Sequence, residues 1–324
     1  MNINKRYSGS LNSSKDSPLI AILLCTKNGA LYLSEQLESL EKQTHKNWVI
    51  IASDDGSTDQ TIEILHQYQA KWPPGKLRIR SGPQKGFCQN FLSLACDPAI
   101  KADYYAFCDQ DDVWLSEKLE AGVLSLIFNC DKVNSIPMLY GGKTIYVDEN
   151  LNYLSHSTSF NYPKVFRNAL VQTMAGGNTL IFNQISKLLL ERTRGANPAS
   201  HDWWLYLIVS GAGGLCIYDP NPQILYRQHN KSLIGENRSI LAKLKRFYFL
   251  LGGRFKIMVD MNVKSLIQHK KILNKDAYDT LSNFLIMRES SLLLRIRLLS
   301  VCGLFRQTKN GTIALFIAVV INQI

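Results

Sequence analysis

No apolar stretch of this 324-residue chain is long enough to cross a bilayer. The longest late run, Thr312 to Ile321, falls well short of the roughly 20 residues a helical span needs. Residues 1–17 lack the apolar segment of a secretory signal and read as a polar, flexible lead-in. No CxxC pair occurs among the seven cysteines, and their number is odd. Most lie in apolar runs, as buried free thiols do, which suits a reducing, cytoplasmic compartment. There is no internal repeat and no recognisable nucleic-acid-binding module. Acidic residues are scarce beside basic ones, 26 against 37, giving a formal charge of +11. Such a charge suggests an anionic partner, which could be a nucleotide sugar, an acidic membrane surface or a nucleic acid, and charge alone does not choose between them.

Apolar residues make up 46% of the chain, enough for a substantial core. From residue 18 strand-like and helix-like stretches alternate. "LIAILLC" (19–25) is a continuous apolar run of strand length, followed by the loop "TKNGA". "LYLSEQLESLEKQ" has helical spacing, with Ser34 a candidate N-cap. "NWVIIAS" is a second strand ending in "DDGSTD". A second helix follows that Asp59 could cap, then "KLRIRSG" as a third strand, "NFLSLACDPA" as a helix and "DYYAFCD" as a fourth strand. This alternation predicts an α/β fold with a mostly parallel sheet flanked by helices. In such sheets ligands bind beyond the carboxyl ends of the strands. Thr26, the pair Asp54–Asp55 and the cluster Asp109–Asp112 all fall at such ends, which predicts one shared crevice. "LCIYDPNPQILYRQH" reads as two short paired strands. Residues 236–324 read as a basic, helical C-terminal extension.

Carboxylates repel one another and are costly to desolvate. Asp109 and Asp111 are two positions apart after an apolar strand, and a hard divalent cation, Mg²⁺ or Mn²⁺, would offset their repulsion. Such an ion takes its remaining ligands from water and from phosphate, so a nucleotide diphosphate would complete the site. A solvated acidic turn, with Asp112 or Ser116 capping the next helix, is the plainer reading of the same residues. Asp54 and Asp55 could accept hydrogen bonds from a base N–H or from ribose hydroxyls. Alternatively, "SDDGSTD" is only a capping loop.

The stretches "LLCTKNGALYLSEQLESLEKQTHKNWVIIASDDGSTDQT" and "FCDQDDVW", in this order and spacing, resemble family 2 glycosyltransferases. Their nearest likeness is to the rhamnosyltransferase-like branch that builds bacterial surface polysaccharides. The resemblance covers about residues 18–235. It implies a GT-A type fold and an inverting transfer from a nucleotide-diphosphate sugar, with Mg²⁺ or Mn²⁺. Carried over by position, Thr26 and Asn28 lie where the first strand meets the nucleotide, and Asp54 and Asp55 hold base and ribose. Asp109 and Asp111 match the DxD motif, with Asp111 the more direct metal ligand. Lys85 and Asn90 fall near a loop that approaches the nucleotide. "SHDWWLYL" supplies Asp202 as general base, while His201 stands where the family has a glutamate and either assists or fills space. Trp203 and Trp204 read as core more readily than as a sugar platform. Arg227 and His229 could reach the diphosphate, one as charge clamp and the other as metal ligand. Gly176 and Gly177 would allow close backbone approach to the donor or acceptor, or simply make a tight turn.

The acceptor implied is a glycan or lipid-linked glycan. The tail, with basic and apolar residues interleaved, would then either lie on an anionic leaflet or pack on the catalytic part or on another subunit. A metal-dependent nucleotidyltransferase is the alternative activity, but it would want a more glycine-rich loop than "TKNGA".

Overall fold

The computed structural model describes residues 17–129, 135–228 and 253–324. Its centre is β1 (Ile20–Thr26), whose seven residues are all buried. Only an apolar run can occupy a strand covered on both faces. Alternate β1 side chains enter different cores: Ile20, Ile22 and Leu24 face one apolar cluster, and Ala21, Leu23 and Cys25 the other.

On one side β1 pairs in parallel with β2 (Trp48–Asp54), which pairs with β3 (Leu77–Ser81). On the other side it pairs in parallel with β4 (Tyr104–Cys108). After β5 (Val113–Trp114) come β6 (Met138–Gly142), β7 (Ile145–Val147), β8 (Tyr153–His156), β9 (Ile181–Asn183), β10 (Leu215–Asp219) and β11 (Ile224–Arg227). The main sheet has the order β10-β6-β9-β4-β1-β2-β3, and β9 runs antiparallel to both its neighbours. A smaller sheet, β5-β11-β7-β8, lies beside it. The two stretches read as paired strands, β10 and β11, therefore part company. β10 extends the main sheet beside β6, whereas β11 joins the small sheet beside β5 and β7.

The helices α1 (Leu33–Glu41), α2 (Thr61–Lys71) and α4 (Lys118–Phe128) sit in the crossovers around β1 to β6, with α3 (Phe87–Ala95) between β3 and β4. Ser34 caps nothing. It lies inside α1, whose first turn starts earlier because the Leu33 N–H already bonds the Gly29 carbonyl. Asp59 does accept the Thr61 N–H at 3.1 Å. Neither Asp112 nor Ser116 caps α4, which begins after Glu117 without a side-chain cap.

α5 (Phe166–Ala169), α6 (Gln184–Arg192) and α7 (His201–Gly211) cover the other face. Among the described residues four more α-helices follow: α8 (Arg254–Gln268), α9 (Lys275–Glu289), α10 (Leu292–Cys302) and α11 (Lys309–Val320). The first two pack on α7. Val259, Leu266, Phe284 and Met287 share one apolar cluster with Trp204 and Leu207 of α7. The Asn262 amide oxygen also accepts the Ala199 N–H just before α7, at 3.0 Å.

Candidate active site

Register brings the carboxyl ends of three strands together. Thr26 is opposite Asp54, and Leu24 is opposite Cys108, the residue before Asp109. With β1 between β2 and β4, the two acidic ends are two strand spacings apart, about 10 Å. Electrostatics agree with that proximity: Asp109 and Asp55 both act on the Cys25 thiol, although burial is the larger cause of its raised pKa.

The loops after β1 and β2 are laced together. The Asp54 carboxylate accepts from the Thr26 hydroxyl at 2.8 Å and from the Ser57 N–H at 2.7 Å. It also accepts from the Gly56 N–H and the Ser57 hydroxyl. Four internal donors make Asp54 the organiser of its own loop. Asp55 accepts the N–H groups of Gln84 (2.6 Å) and Gly86 (3.1 Å), fixing the loop between β3 and α3 that carries Lys85. Asn28 adopts a left-handed conformation at φ 51° and accepts the Thr58 N–H at 2.8 Å. Lys85 is exposed on the rim. Asn90 is buried, its amide bonded to the Ser53 carbonyl and hydroxyl, so it anchors α3 to β2.

The acidic loop divides its labour. Asp109 and Asp111 are half-buried and reach the open side. Gln110, for which the sequence offered no role, donates to the Lys27 carbonyl (3.0 Å) and accepts the Lys27 N–H (2.8 Å), tying this loop to the end of β1. Gly29 makes room for it, since a Cβ there would stand 2.2 Å from the Gln110 amide oxygen. Asp112 turns inward, fully buried, and accepts from the Asn178 amide. Beneath it lies Lys118, also buried, its ammonium 3.5 Å from the centre of the Trp114 ring and without a hydrogen-bond partner. Burial pulls Lys118 down to about 7 against the attraction of Cys108 and Asp112.

Arg227 at the end of β11 is buried. Its Nε donates to the Asp111 carbonyl at 3.1 Å, and its other nitrogens reach the Glu149 carbonyl and the Glu35 carboxylate. The guanidinium also lies 4.4 Å over the Tyr32 ring. It thus grips the acidic loop through the Asp111 backbone while its charge pairs with Glu35 of α1. His229 lies outside the described residues.

The opposite wall belongs to α7. Of its eleven residues, Asp202 alone is not buried. Trp203 and Trp204 are core, their indole N–H groups satisfied by the Ala169 carbonyl and the Thr193 hydroxyl. His201 fills space behind Asp202. It stacks 4.0 Å from Phe91 and meets Phe107 edge-on, and neither of its nitrogens has a partner. Burial pulls its pKa from 6.5 to about 4, so the ring is neutral at physiological pH. Gly177 touches this wall: a Cβ there would come 2.5 Å from His201 Nε2 and 3.4 Å from the Asp202 Cβ. The next residue, Asn178, holds Asp112, so two consecutive residues join the α7 wall to the acidic loop.

Asp109 senses both sides. Burial first, then Asp111 and Asp202, push its carboxyl up to about 8. Negative charge so crowded, with a neighbouring buried Asp112 oxygen lacking any donor, fits a site made to receive a cation. Among the described residues no three His, Cys, Asp or Glu side chains suffice to hold an ion by themselves. Asp109 and Asp111 would supply two ligands and leave the rest to phosphate and water, the habit of Mg²⁺ and Mn²⁺.

Comparison with known proteins agrees with this geometry. The chain is 31% identical over 230 residues to the dTDP-rhamnosyl transferase RfbG of Shigella flexneri, covering 69% of this chain and 77% of that protein. It is 22% identical over 209 residues to the UDP-Glc:alpha-D-GlcNAc-diphosphoundecaprenol beta-1,3-glucosyltransferase WfgD of Escherichia coli, covering 60% and 70%. Among solved structures, S. aureus TarS 1-349 in complex with UDP-GlcNAc superposes with a TM-score of 0.51 at 14% identity, covering 85% of this chain and 86% of that one. The mannosyltransferase PcManGT from Pyrobaculum calidifontis, in complex with GDP-Man and Mn2+, gives 0.50 at 15% identity over 94% and 86%. The fold is of the GT-A type. Residues 21–187 match the family described as Glycosyl transferase family 2, more than half of the chain, and the protein belongs to that family.

Proposed function

We propose that the protein is an inverting, metal-dependent glycosyltransferase. It would move rhamnose or a hexose from a nucleotide-diphosphate sugar to a glycan or lipid-linked acceptor in surface polysaccharide synthesis. The observation that carries this reading is Asp202, a carboxylate at the single open position of an otherwise buried helix, facing the acidic strand ends. Family membership favours sugar transfer over nucleotidyl transfer. The likeness to a dTDP-rhamnosyl transferase makes a dTDP-linked deoxysugar the first donor to test.

Asp202 sits in the first turn of α7, whose buried neighbours fix its place. It would take the proton from an acceptor hydroxyl as that oxygen attacks the anomeric carbon. The bond from that carbon to the diphosphate breaks as the new one forms on the opposite face, so the configuration inverts. A divalent ion on Asp109 and Asp111 would supply charge stabilisation for the departing diphosphate. Asp54 and Asp55 shape the nucleotide end of the cleft, and Arg227 holds the Asp111 backbone in place.

Binding and transfer separate the roles. Wild type is expected to gain thermal stability from Mn²⁺ with the matching nucleotide diphosphate. Asp111→Asn should abolish that gain. Asp202→Asn should keep it and lose transfer by at least about a hundredfold. Full transfer by Asp202→Asn would show that another group is the base.

A further inference from the structure

After Glu289 the chain contains no acidic residue, yet it carries Arg295, Arg297, Arg306 and Lys309. Within these 35 residues lie α10 and α11. Buried Arg295 clamps the two helices together, donating to the Val319 carbonyl of α11 at 3.0 Å and to the Ser290 carbonyl before α10 at 2.8 Å. Apolar residues lie on every side of both helices, a pattern that normally means extensive burial. Here only one side is covered. Seven large apolar side chains of this segment are exposed, among them Leu293 at 83%, Ile313 at 59%, Val301 at 55% and Phe316 at 46%. Leu293, Arg297 and Val301 succeed one another at intervals of four along α10, so they share one stripe.

We propose that the α10–α11 hairpin is a docking face for an anionic lipid bilayer. Exposed aliphatic and aromatic groups beside exposed Arg297 and Lys309, in a segment free of acidic side chains, match the acyl–headgroup boundary of such a surface. A second copy of the chain is a poorer occupant, because two faces of one sign repel. Helices of eleven and twelve residues reach about 17 Å, too short to span the hydrocarbon layer but sufficient to lie upon it. The hairpin also communicates with the catalytic wall. The Asn168 side chain donates to the Phe305 carbonyl and accepts from Gln307, both in the α10–α11 turn, and it accepts from the Tyr206 hydroxyl of α7. A bilayer under the hairpin would therefore stand in fixed relation to the helix that bears Asp202.

The test uses the full chain without donor or acceptor, so it stands or falls apart from the transfer reaction. Wild type is expected to sediment with vesicles of phosphatidylcholine plus phosphatidylglycerol, and at least about tenfold less with phosphatidylcholine alone. Arg297→Glu should lower partition at least about fivefold. Leu293→Ser combined with Phe316→Ser should lower it at least about tenfold. All three positions are exposed, so circular dichroism and Tm should not change. Arg78→Glu, an exposed arginine on β3, should bind as wild type does. Failure to bind anionic vesicles, undiminished binding by the hairpin variants, or equal loss in Arg78→Glu would overturn the proposal. So would a lipid-free dimer that the hairpin substitutions make monomeric, since a second copy would then cover this face.

Discussion

Replacing His201 by phenylalanine should remove an acid-labile element from the fold. The wild-type imidazole is only 4% exposed, packed among Phe91 and Phe107, with both nitrogens unpartnered. Burial, opposed only in part by Asp202, takes its pKa from 6.5 to about 4. In the unfolded chain it takes a proton near its ordinary value. Between these two values the unfolded state therefore binds more protons, and stability falls as pH drops through that window. The contribution is complete above pH 6.5, and about 2 kcal/mol of it is gone at pH 5. Below pH 4 the loss approaches about 3 kcal/mol. A ring without nitrogens escapes this loss. It also avoids two orphaned polar atoms, which cost on the order of 1–3 kcal/mol each. Urea unfolding of both proteins from about pH 7.5 to about pH 5 measures the difference, and groups common to both cancel. The gap in favour of His201→Phe should widen by about 2 kcal/mol over that range. A gap that stays constant would mean the folded protein protonates His201 freely, and the aromatic cage described here would be wrong.

Three further outcomes follow from the site. Gly29→Ala must expel the Gln110 amide, breaking its two bonds to Lys27. Donor affinity, read by thermal shift, should fall about tenfold, as expected for the loss of about 1.4 kcal/mol. Gly177→Ala pushes against His201, which is stacked on Phe91 and cannot withdraw. Transfer should drop at least about tenfold while donor binding stays near wild type, as calorimetry alongside an activity assay would reveal. Asp109, raised to about 8, holds a proton at neutral pH that a bound cation must displace. The apparent affinity for Mn²⁺ should thus climb with pH, by up to about tenfold per unit, and level off above about pH 8. Manganese titrations at several pH values check this, and a flat profile would refute it.

Much of the central architecture is legible in the chain. "IAILLC" and "YYAFC" are unbroken apolar runs, and a strand buried on both faces can be nothing else. Their polar ends are equally plain, because chemistry placed beyond a strand must interrupt the apolar run. Helix starts were harder to read. Ser34 has a capping side chain, but the turn had already begun at Gly29, where the loop is fixed by Thr61 and Asp59 some thirty residues on. β10 and β11 also look alike as sequence, and which sheet each joins depends on edges supplied by β6 and β7.

Local sequence, then, determined the alternating elements and the three polar strand ends, whereas Asp202 came forward as a candidate base only through the family resemblance. Apolar periodicity and charge are properties of neighbouring residues. Only the tertiary structure decided what each polar group does. It turned Asp112 inward to Asn178, 66 residues away, and set Arg227 on the backbone of Asp111, 116 residues away. It buried His201 in a ring of phenylalanines and left Asp202 open beside it. It packed α8 and α9 into the core while leaving one side of α10 and α11 bare. Hydrogen bonds and burial belong to pairs of surfaces, and those pairs exist only once distant stretches of chain have been folded against each other.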